Sequence, residues 1–544
     1  MVTAVREATV RDVTVWTGGT VWTGEGDTGA LAAAQGRIVA VGAEAEALAG
    51  KAAEVVDLDG GLLMPSFGDG HAHPLFGGLE FQGPPVRDLA DPEQVAAAVG
   101  RWAAEHPGAE WIVGGSYDPA IAPRGEFDAR VLDAAVPDRP VVLRAYDYHT
   151  VWVNSEALRR AGITADTPDP DGGTIVRRAD GTPMGTLREW GAVDLVLDLI
   201  PAEAAGDRIR ALADAGRRYL RSGITWYQDA WVDPETVGVY LEAARRGTLL
   251  TRADLALRAD PEEWRDQLSL FPELRERVGA EPAAAELLTA RTVKFFADGV
   301  IEGGTAALLE PYADCPHSRG MPVWPGAALA EAVAAFDRLG FEVHIHAIGD
   351  AGIRNALDAL EETARTNPPR PRRPVIAHTQ LVDPADLERF ARVGAVANFE
   401  PYWAQLDPLQ VDLTIPRLGE GRAALQYPMA TLLRGGTRLS FGSDWPVSTE
   451  RPLDGIQVAV TRRTFEGDPA EGWIPEERLT AEQALTAYTA GSAYQAGAEH
   501  RRGTLRVGAD ADLLWLDRDP RAVDPMKIAA ITERGTWLAG RRAV

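Results

Sequence analysis

Eight short apolar segments separated by amphipathic helical stretches constrain the fold of this chain more than any other feature of its sequence. The segments occupy residues 69–73, 224–229, 253–259, 292–298, 342–347, 374–380, 395–401 and 438–444. Alternation of this kind is typical of parallel βαβ units, and eight strands close an α/β barrel. The sequence therefore predicts an α/β fold centred on a distorted (β/α)8 TIM barrel.

Three of the intervening stretches carry clear helix-end signals. Asp91 is suited to cap a helix that opens with Pro92. A second helix is expected at about 203–222, because Gly223 suits the left-handed residue that ends a helix. A third is expected to end at Gly340, just before the fifth strand segment.

The rest of the chain is predicted to form two smaller units around the barrel. Residues 1–64 and 496–544 contain short extended pieces with Gly-rich turns, which predict the two parts of a small β-sandwich. The gap between the first two barrel strands is too long for one crossover and has strand candidates of its own. Residues 75–200 are therefore predicted to be an inserted α/β domain that shapes the substrate pocket, and the barrel is assigned to 65–74 and 201–495.

Composition excludes several classes of function. The chain has 55 lysines and arginines against 80 aspartates and glutamates, a net charge of −25 that disfavours nucleic acid and anionic membrane surfaces. Cys315 is the only cysteine, which excludes an intramolecular disulfide and a cysteine-based zinc knuckle. No signal segment or long apolar run occurs, so we expect a cytoplasmic location. A small-molecule substrate is the expected partner, and a homodimer is left open.

Polar residues at the ends of the strand segments predict a metal site. His71 and His73 lie two residues apart on one strand, so their side chains share a face and can chelate one ion. Four more polar residues fall on or just after later strands: Lys294, His346, His378 and Asp444. Each residue alone is equally compatible with an ordinary buried polar group. Their common position at the carboxyl ends of strands, where barrel active sites lie, favours a shared metal centre.

Several segments resemble those of a known family, in the same order along nearly the whole chain. They include MPSFGDGHAH, WVNSEAL, GTLREW, VKFFADG, HIHAIGD, IAHTQ, GSDWPV and LTAEQALTAYT. The chain resembles the amidohydrolase superfamily, specifically the amidohydrolase family 3 branch of YtcJ-like and N-substituted formamide deformylase-like proteins. It departs from the pattern at Ala377, where many relatives have an acidic residue before the histidine.

This resemblance implies a metal-dependent hydrolase with divalent ions, zinc being the expected metal. The implied ligands of one ion are His71, His73 and Asp444, and those of a second are His346 and His378. Lys294 is implied to bridge the ions after carboxylation by CO2, because a carbamate offers two anionic oxygens whereas an ammonium has only donors. The alternative for Lys294 is an ion pair with Asp298 or Glu302, which would leave a site for one ion. Ligand types do not distinguish zinc from manganese, iron or cobalt.

The implied reaction is hydrolysis of a non-peptide, amide-type or formamide-type carbon–nitrogen bond by metal-activated water. Asp444 is expected to take the proton of the water and pass it to the leaving nitrogen. Lys294 and His378 complete the implied catalytic set.

Further residues are predicted to bind substrate or to overhang the barrel mouth. The predicted substrate-binding residues are Glu189, His149, His344, Trp152, Tyr402 and Trp445, and Tyr117 and Trp403 are candidates for the same pocket wall. His344 shares a strand face with His346, so it is also a candidate for a spare metal ligand, with filling the barrel or supporting a ligand favoured.

Two other functions remain open at this point. One is a mononuclear deaminase or imine hydrolase on the same barrel, which needs a glutamate near the fifth-strand histidine; the segment HAIGD has none. The other is a catalytically inactive binding protein, against which the presence of all the expected ligands argues.

Overall fold

An eight-stranded parallel sheet, nearly closed into a barrel, forms the centre of the molecule. The computed structural model describes residues 12–87, 89–146, 148–201 and 203–544. The barrel strands, β1 to β8, are Phe67–Ala72, Ile224–Val232, Arg252–Arg258, Leu288–Phe296, Glu342–Ala347, Val375–His378, Val396–Phe399 and Arg438–Phe441. Each predicted segment overlaps one strand, so the predicted α/β barrel is confirmed.

The barrel closes where β8 approaches β1. The backbone N–H of Asp444 donates to the carbonyl of His71 over 2.7 Å, and the N–H of Ser443 donates to Asp69 over 2.9 Å. A Cβ on Gly442 would lie 2.7 Å from the His71 nitrogen, so this close approach requires glycine. The seam therefore brings a histidine of β1 next to the aspartate that follows β8.

Helices alternate with the barrel strands along the chain. They are Pro74–Glu80, Ala205–Arg221, Thr236–Arg245, Trp264–Ala280, Ala328–Arg338, Asp350–Thr366, Leu387–Val393, Ile415–Leu418, Glu420–Ala423, Met429–Arg434, Pro452–Thr461, Ala481–Thr486 and Ser492–Gln495. The two helices predicted to end before Gly223 and Gly340 are confirmed, and both glycines have a positive φ, of 78° and 79°. In the part of the chain that the structure describes, no helix combines the length and apolarity needed to cross a membrane.

The chain between the first two barrel strands contains a five-stranded mixed sheet. Its strands are Ile112–Tyr117, Val141–Ala145, Thr150–Val153, Thr174–Arg177 and Pro183–Arg188, and its helices are Pro92–Glu105, Ala129–Ala135, Ser155–Arg160 and Trp190–Leu197. Asp91 caps the first helix as predicted, since its carboxylate accepts the N–H of Gln94 over 2.7 Å. The insertion has two apolar clusters of its own.

Two further sheets lie outside the barrel and the insertion, and the larger one combines strands from both ends of the chain. The four-stranded sheet contains Thr14–Thr17, Leu31–Ala34, Arg37–Val41 and Glu54–Asp57. The six-stranded sheet contains Thr20–Trp22, Asp27–Thr28, Leu62–Pro65, Leu513–Leu516, Glu533–Leu538 and Arg541–Arg542. Trp16 and Trp537 meet edge to face in their shared core, with ring centroids 5.5 Å apart. Residues 1–11 of the predicted N-terminal part lie outside the described residues.

Candidate active site

The predicted ligands lie together at one mouth of the barrel. His71, Lys294, His346 and His378 come from β1, β4, β5 and β6. His73 follows β1 directly, and Asp444 is the third residue after β8. All six are buried. The histidines and Asp444 line a cavity of about 830 Å³. The structure therefore joins residues that are up to several hundred positions apart in the sequence.

Three of these side chains form a compact group. Asp444 Oδ1 lies 2.9 Å from His73 Nε2 and 3.5 Å from His71 Nε2, and the candidate ligand atoms all lie within 4.8 Å of one another. Asp444 Oδ1 is buried and makes no hydrogen bond to a described residue. Two imidazoles and a carboxylate directed at one point are a donor set typical of a divalent transition metal.

The charge state of the two histidines also suits a metal ligand. Burial lowers the pKa of both His71 and His73, so both rings are neutral and keep a lone pair. His344 Nε2 lies 2.8 Å from Nδ1 of His71, which leaves Nε2 of His71 facing Asp444. His344 is absent from the cavity lining and therefore supports His71 rather than binding substrate.

His346 and His378 form a second group beside the first. Their ring centroids lie 4.5 Å apart, and the ring of His378 lies 4.6 Å from that of His71. His346 Nε2 lies 3.1 Å from the carbonyl oxygen of Gly299. Burial lowers the pKa of His378 to about 3, so its ring is neutral as well.

Lys294 lies completely buried beside these histidines. Its Nζ is 3.4 Å from Nε2 of His71 and 4.6 Å from the centre of the Phe296 ring. The alternative ion pair with Asp298 or Glu302 is wrong for the described residues: Asp298 instead accepts backbone N–H groups. Burial lowers the pKa of Lys294 to about 7, which makes a neutral amine accessible.

Glu400 is a site residue that the sequence analysis missed. It follows β7 directly, is fully buried, and places Oε2 2.8 Å from Nδ1 of His378. Its other oxygen has no hydrogen-bond partner among the described residues. This contact fixes the ring of His378 and leaves its Nε2 available. The signal was present, because Glu400 ends a strand segment in the same way as the predicted ligands.

The insertion contributes a histidine and a glutamate. His149 lines the cavity with its ring 5.4 Å from that of His346, and its Nδ1 lies 2.8 Å from Glu189 Oε2. The hydroxyl of Thr305 donates to the other oxygen of Glu189. Glu189 thus lies behind His149 and orients it, while His149 faces the cavity.

The predicted aromatic wall is partly corrected. Tyr402, Trp403 and Trp445 line the cavity, but Trp152 and Tyr117 do not. Both are fully buried in the core of the insertion, where Trp152 donates its indole N–H to the Asp128 carbonyl over 3.2 Å. The prediction for these two residues was wrong because their strands are covered on both faces, so an aromatic side chain there packs against a helix.

Other aromatic residues line the cavity instead. Among them are Phe76, Trp190, Trp231 and Phe296. Trp231 lies at the centre of this group, with its ring centroid 4.6 Å from that of Trp190, 4.9 Å from Phe296 and 5.8 Å from Phe76. These contacts give the cavity an apolar wall. The sequence did not single these residues out, because aromatic residues of this kind are also common in protein cores.

Comparison with known proteins identifies the family. The amidohydrolase family matches residues 54–544. The putative amidohydrolase YtcJ of Bacillus subtilis strain 168 is 30% identical over 544 residues, 97% of this chain and 98% of that protein. The N-substituted formamide deformylase of Arthrobacter pascens is 28% identical over 503 residues, 89% of each chain.

A solved structure agrees with these sequence matches. An uncharacterized metal-dependent hydrolase from Pyrococcus furiosus superposes with a TM-score of 0.70 at 27% identity, covering 94% of this chain and all of that one (100%). The resemblance inferred from the sequence segments is confirmed, and the chain belongs to the amidohydrolase family.

Proposed function

We propose that this protein is a metal-dependent hydrolase that cleaves a non-peptide carbon–nitrogen bond of the amide or formamide type. The family supports hydrolase chemistry, and a formamide deformylase is among its relatives. The observation that carries the proposal is the convergence of His71, His73 and Asp444, within 4.8 Å, on a cavity that His346 and His378 also line.

His71, His73 and Asp444 would hold one divalent ion, for which zinc is the expected metal. His346 and His378 would hold a second, with Lys294 carboxylated between them. A fully buried primary amine with no carboxylate partner among the described residues supports this role, because only a neutral amine reacts with CO2. Bound divalent metal lowers the pKa of water and polarises the substrate carbonyl.

Asp444 would move the proton in this reaction. Its Oδ1 lies at the cavity and accepts no hydrogen bond from a described residue, so it is available to take a proton from water. The same carboxyl would then donate the proton to the leaving nitrogen, which departs as an amine. His149, whose Nδ1 is held by Glu189, would present its Nε2 to the substrate.

Metal analysis and a substrate screen test this proposal together. Elemental analysis of protein that was expressed in zinc-supplemented medium and then purified should give about two zinc ions per chain. The loaded protein should hydrolyse at least one member of a panel of N-formyl, N-acyl, cyclic amide and carbamate compounds. One ion per chain with release of ammonia from an aminated heterocycle would instead support the mononuclear deaminase. Metal-loaded protein that cleaves no carbon–nitrogen bond in the panel would contradict the proposal.

A further inference from the structure

Three carboxylates on the cavity wall have no cationic partner among the residues that the structure describes. Asp118, Glu302 and Asp407 line the cavity and form no ion pair with a described lysine or arginine. We call these three residues the acidic wall. The arginines of the same lining are already paired: Arg87 lies 2.9 Å from Glu80 and Arg218 lies 3.3 Å from Glu450. Apart from Asp444 at the candidate metal site, the acidic wall therefore holds the carboxylates of the described lining that have no cationic partner.

The acidic wall converges on one helical turn, Gln410–Thr414. The backbone N–H of Gln410 donates to Asp407 Oδ1 over 2.9 Å, and the hydroxyl of Thr414 donates to Glu302. Leu413 of the same turn lies next to Gly125 of the insertion, since a Cβ added at Gly125 would be 4.0 Å from Leu413 Cδ1. Asp118 lies seven residues before Gly125 in the sequence. Barrel loops and the insertion thus bring the three carboxylates to one place.

Gln410 provides a second and independent sign of a ligand. It lines the cavity although only 2% of its surface is exposed, and its Oε1 has no hydrogen-bond partner among the described residues. The amide nitrogen is engaged, since Nε2 lies 3.3 Å from the hydroxyl of Tyr427. A buried acceptor without a donor is destabilising, because it has lost its hydrogen bonds to water. A ligand N–H would satisfy it.

Electrostatics around Asp407 agree with this geometry. Burial, together with the nearby charges of Asp118 and Glu302, raises the pKa of Asp407 to about 7. Burial also raises the pKa of Asp118. Arg417 approaches Gly304, which is in the same loop as Glu302. Its guanidinium forms an ion pair with Asp314 at 3.1 Å and not with the acidic wall. A positively charged group from the substrate would relieve this repulsion.

The spacing of these groups favours an organic cation over a metal ion. Within the described ranges, the one group of three or more His, Cys, Asp or Glu ligand atoms close enough to share an ion is His71, His73 and Asp444. An alkylammonium or guanidinium is larger and carries several N–H donors, so it can reach separated acceptors. The cavity also has an aromatic surface at Trp403, whose ring stacks on that of His378 with centroids 5.3 Å apart.

We propose that the acidic wall and Gln410 bind a protonated amine or guanidinium group of the substrate. The substrate class is then an amide that carries a second, positively charged nitrogen, with an apolar spacer between that nitrogen and the bond that is cleaved. The identity of the cleaved bond rests on the proposed function, whereas binding of the cation does not.

Calorimetric binding to the metal-loaded protein tests the site without requiring turnover. The probes are benzylammonium and benzyl alcohol at neutral pH, which have similar shapes and differ in charge. Benzylammonium should bind about tenfold more tightly than benzyl alcohol. Asp407→Asn and Glu302→Gln should each weaken benzylammonium binding about tenfold and leave benzyl alcohol binding unchanged. The second variant guards against a folding defect in the first.

Glu310→Gln is the matched control, because it removes one negative charge from an exposed glutamate that is not part of the cavity lining. It should change benzylammonium binding less than twofold. Equal affinity for the two probes would overturn the proposal, as would equal weakening by the control and by Asp407→Asn. Loss of binding of both probes in Asp407→Asn would indicate a collapsed cavity, and Glu302→Gln then decides: equal weakening of both probes in that variant would overturn the proposal.

Turnover separates this inference from the proposed function. N-formyl derivatives of a diamine, with one free amine, should have a kcat/KM about tenfold higher than that of the matched neutral alkyl formamide, and Asp407→Asn should abolish the preference. Hydrolysis of both with no preference would overturn the cation site and leave the hydrolase intact. Tight benzylammonium binding without hydrolysis of any amide would uphold the cation site and contradict the hydrolase.

Discussion

Asp444 is the residue on which the proposed chemistry depends most. It lies at the seam of the barrel, 2.9 Å from His73, with one buried oxygen that accepts no hydrogen bond from a described residue. An amide in its place keeps the shape and one oxygen ligand but cannot accept a proton. The ligand role and the proton-transfer role can therefore be separated by one substitution.

We predict that Asp444→Asn retains bound metal while kcat falls by about 10²–10⁴-fold. The measurement is a steady-state rate on the best substrate of the screen, alongside elemental analysis of the same preparation. Loss of metal in parallel with loss of rate would show only that Asp444 is a ligand. A near-normal rate with full metal content would remove it from the role of base.

Asp407 is a residue whose ionised carboxylate destabilises the folded protein, which suggests that it is kept for binding. A carboxyl whose pKa is raised to about 7 in the folded protein is destabilising when ionised, because the unfolded chain ionises near 4. The penalty is complete above pH 7 and decreases as the pH falls towards 4, since the folded protein then takes up a proton. Charges held at this cost are typical of binding sites.

We predict that Asp407→Asn raises the free energy of unfolding by about 1–3 kcal/mol at pH 8, and that the gain shrinks at pH 5. Thermal melting of both proteins at the two pH values measures this. Glu310→Gln is the control, since an exposed glutamate 3.5 Å from an exposed arginine should change stability by less than about 0.5 kcal/mol. A destabilised Asp407→Asn at pH 8 would contradict the prediction.

At the scale of elements, the seam between β8 and β1 positions the metal ligands. Gly442 allows the backbone of β8 to reach His71, and Asp444 then bonds to the His71 carbonyl over 2.7 Å. A side chain at Gly442 would meet backbone atoms, which cannot move aside as a flexible side chain can. The geometry of His71 and Asp444 therefore depends on a residue that touches neither metal nor substrate.

We predict that Gly442→Ala destabilises the protein by about 1–3 kcal/mol and weakens metal binding, because the added methyl would lie 2.7 Å from the His71 nitrogen. Thermal melting and a competitive metal titration measure the two effects. Gly421→Ala is the matched control, since a Cβ there meets no atom within 4 Å. Equal behaviour of the two variants would show that the seam tolerates a side chain.

The strands and the ligands were accessible from sequence for one physical reason. A buried parallel strand is a short apolar run, and the residue at its carboxyl end faces the barrel mouth, so position alone selects His71, His346, His378 and Asp444. Glu400 obeys the same rule, but one acidic residue after a strand is not distinctive without a partner. Its contact with His378 exists only in three dimensions.

The pocket walls could not be predicted in the same way. Trp152 was expected at the mouth and lies in the core of the insertion, whereas Trp231 was not singled out and lines the cavity. An aromatic residue has the same local signature in a core and in a pocket wall. The acidic wall likewise combines a turn of the insertion with two barrel loops. These segments come together only through the packing of the insertion against the barrel.

At the scale of the whole molecule, the metal centre would join side chains from several barrel strands at one point. Its candidate ligands come from β1, β5, β6 and the end of β8, and the insertion adds His149 beside them. Binding to a folded site that the unfolded chain lacks stabilises the fold by RT ln(1 + [L]/Kd), about 2.7 kcal/mol when the free metal is 100 times Kd. Metal occupancy should therefore be visible in global stability.

We predict that removal of metal with a chelator lowers the melting temperature and that returning zinc restores it. The decrease should be a few degrees, because a stabilisation of about 1 kcal/mol shifts a large domain by about 2–4 °C. His73→Ala is the control: it removes one ligand, so its melting temperature should respond far less to chelator or zinc. Wild-type protein that melts at the same temperature with zinc and with chelator would show that these residues hold no metal.

Trp152→Phe locates the effect, because Trp152 lies in the core of the insertion. If the melting temperature responds to metal in Trp152→Phe but not in His73→Ala, the stabilising ion lies at the mouth of the barrel.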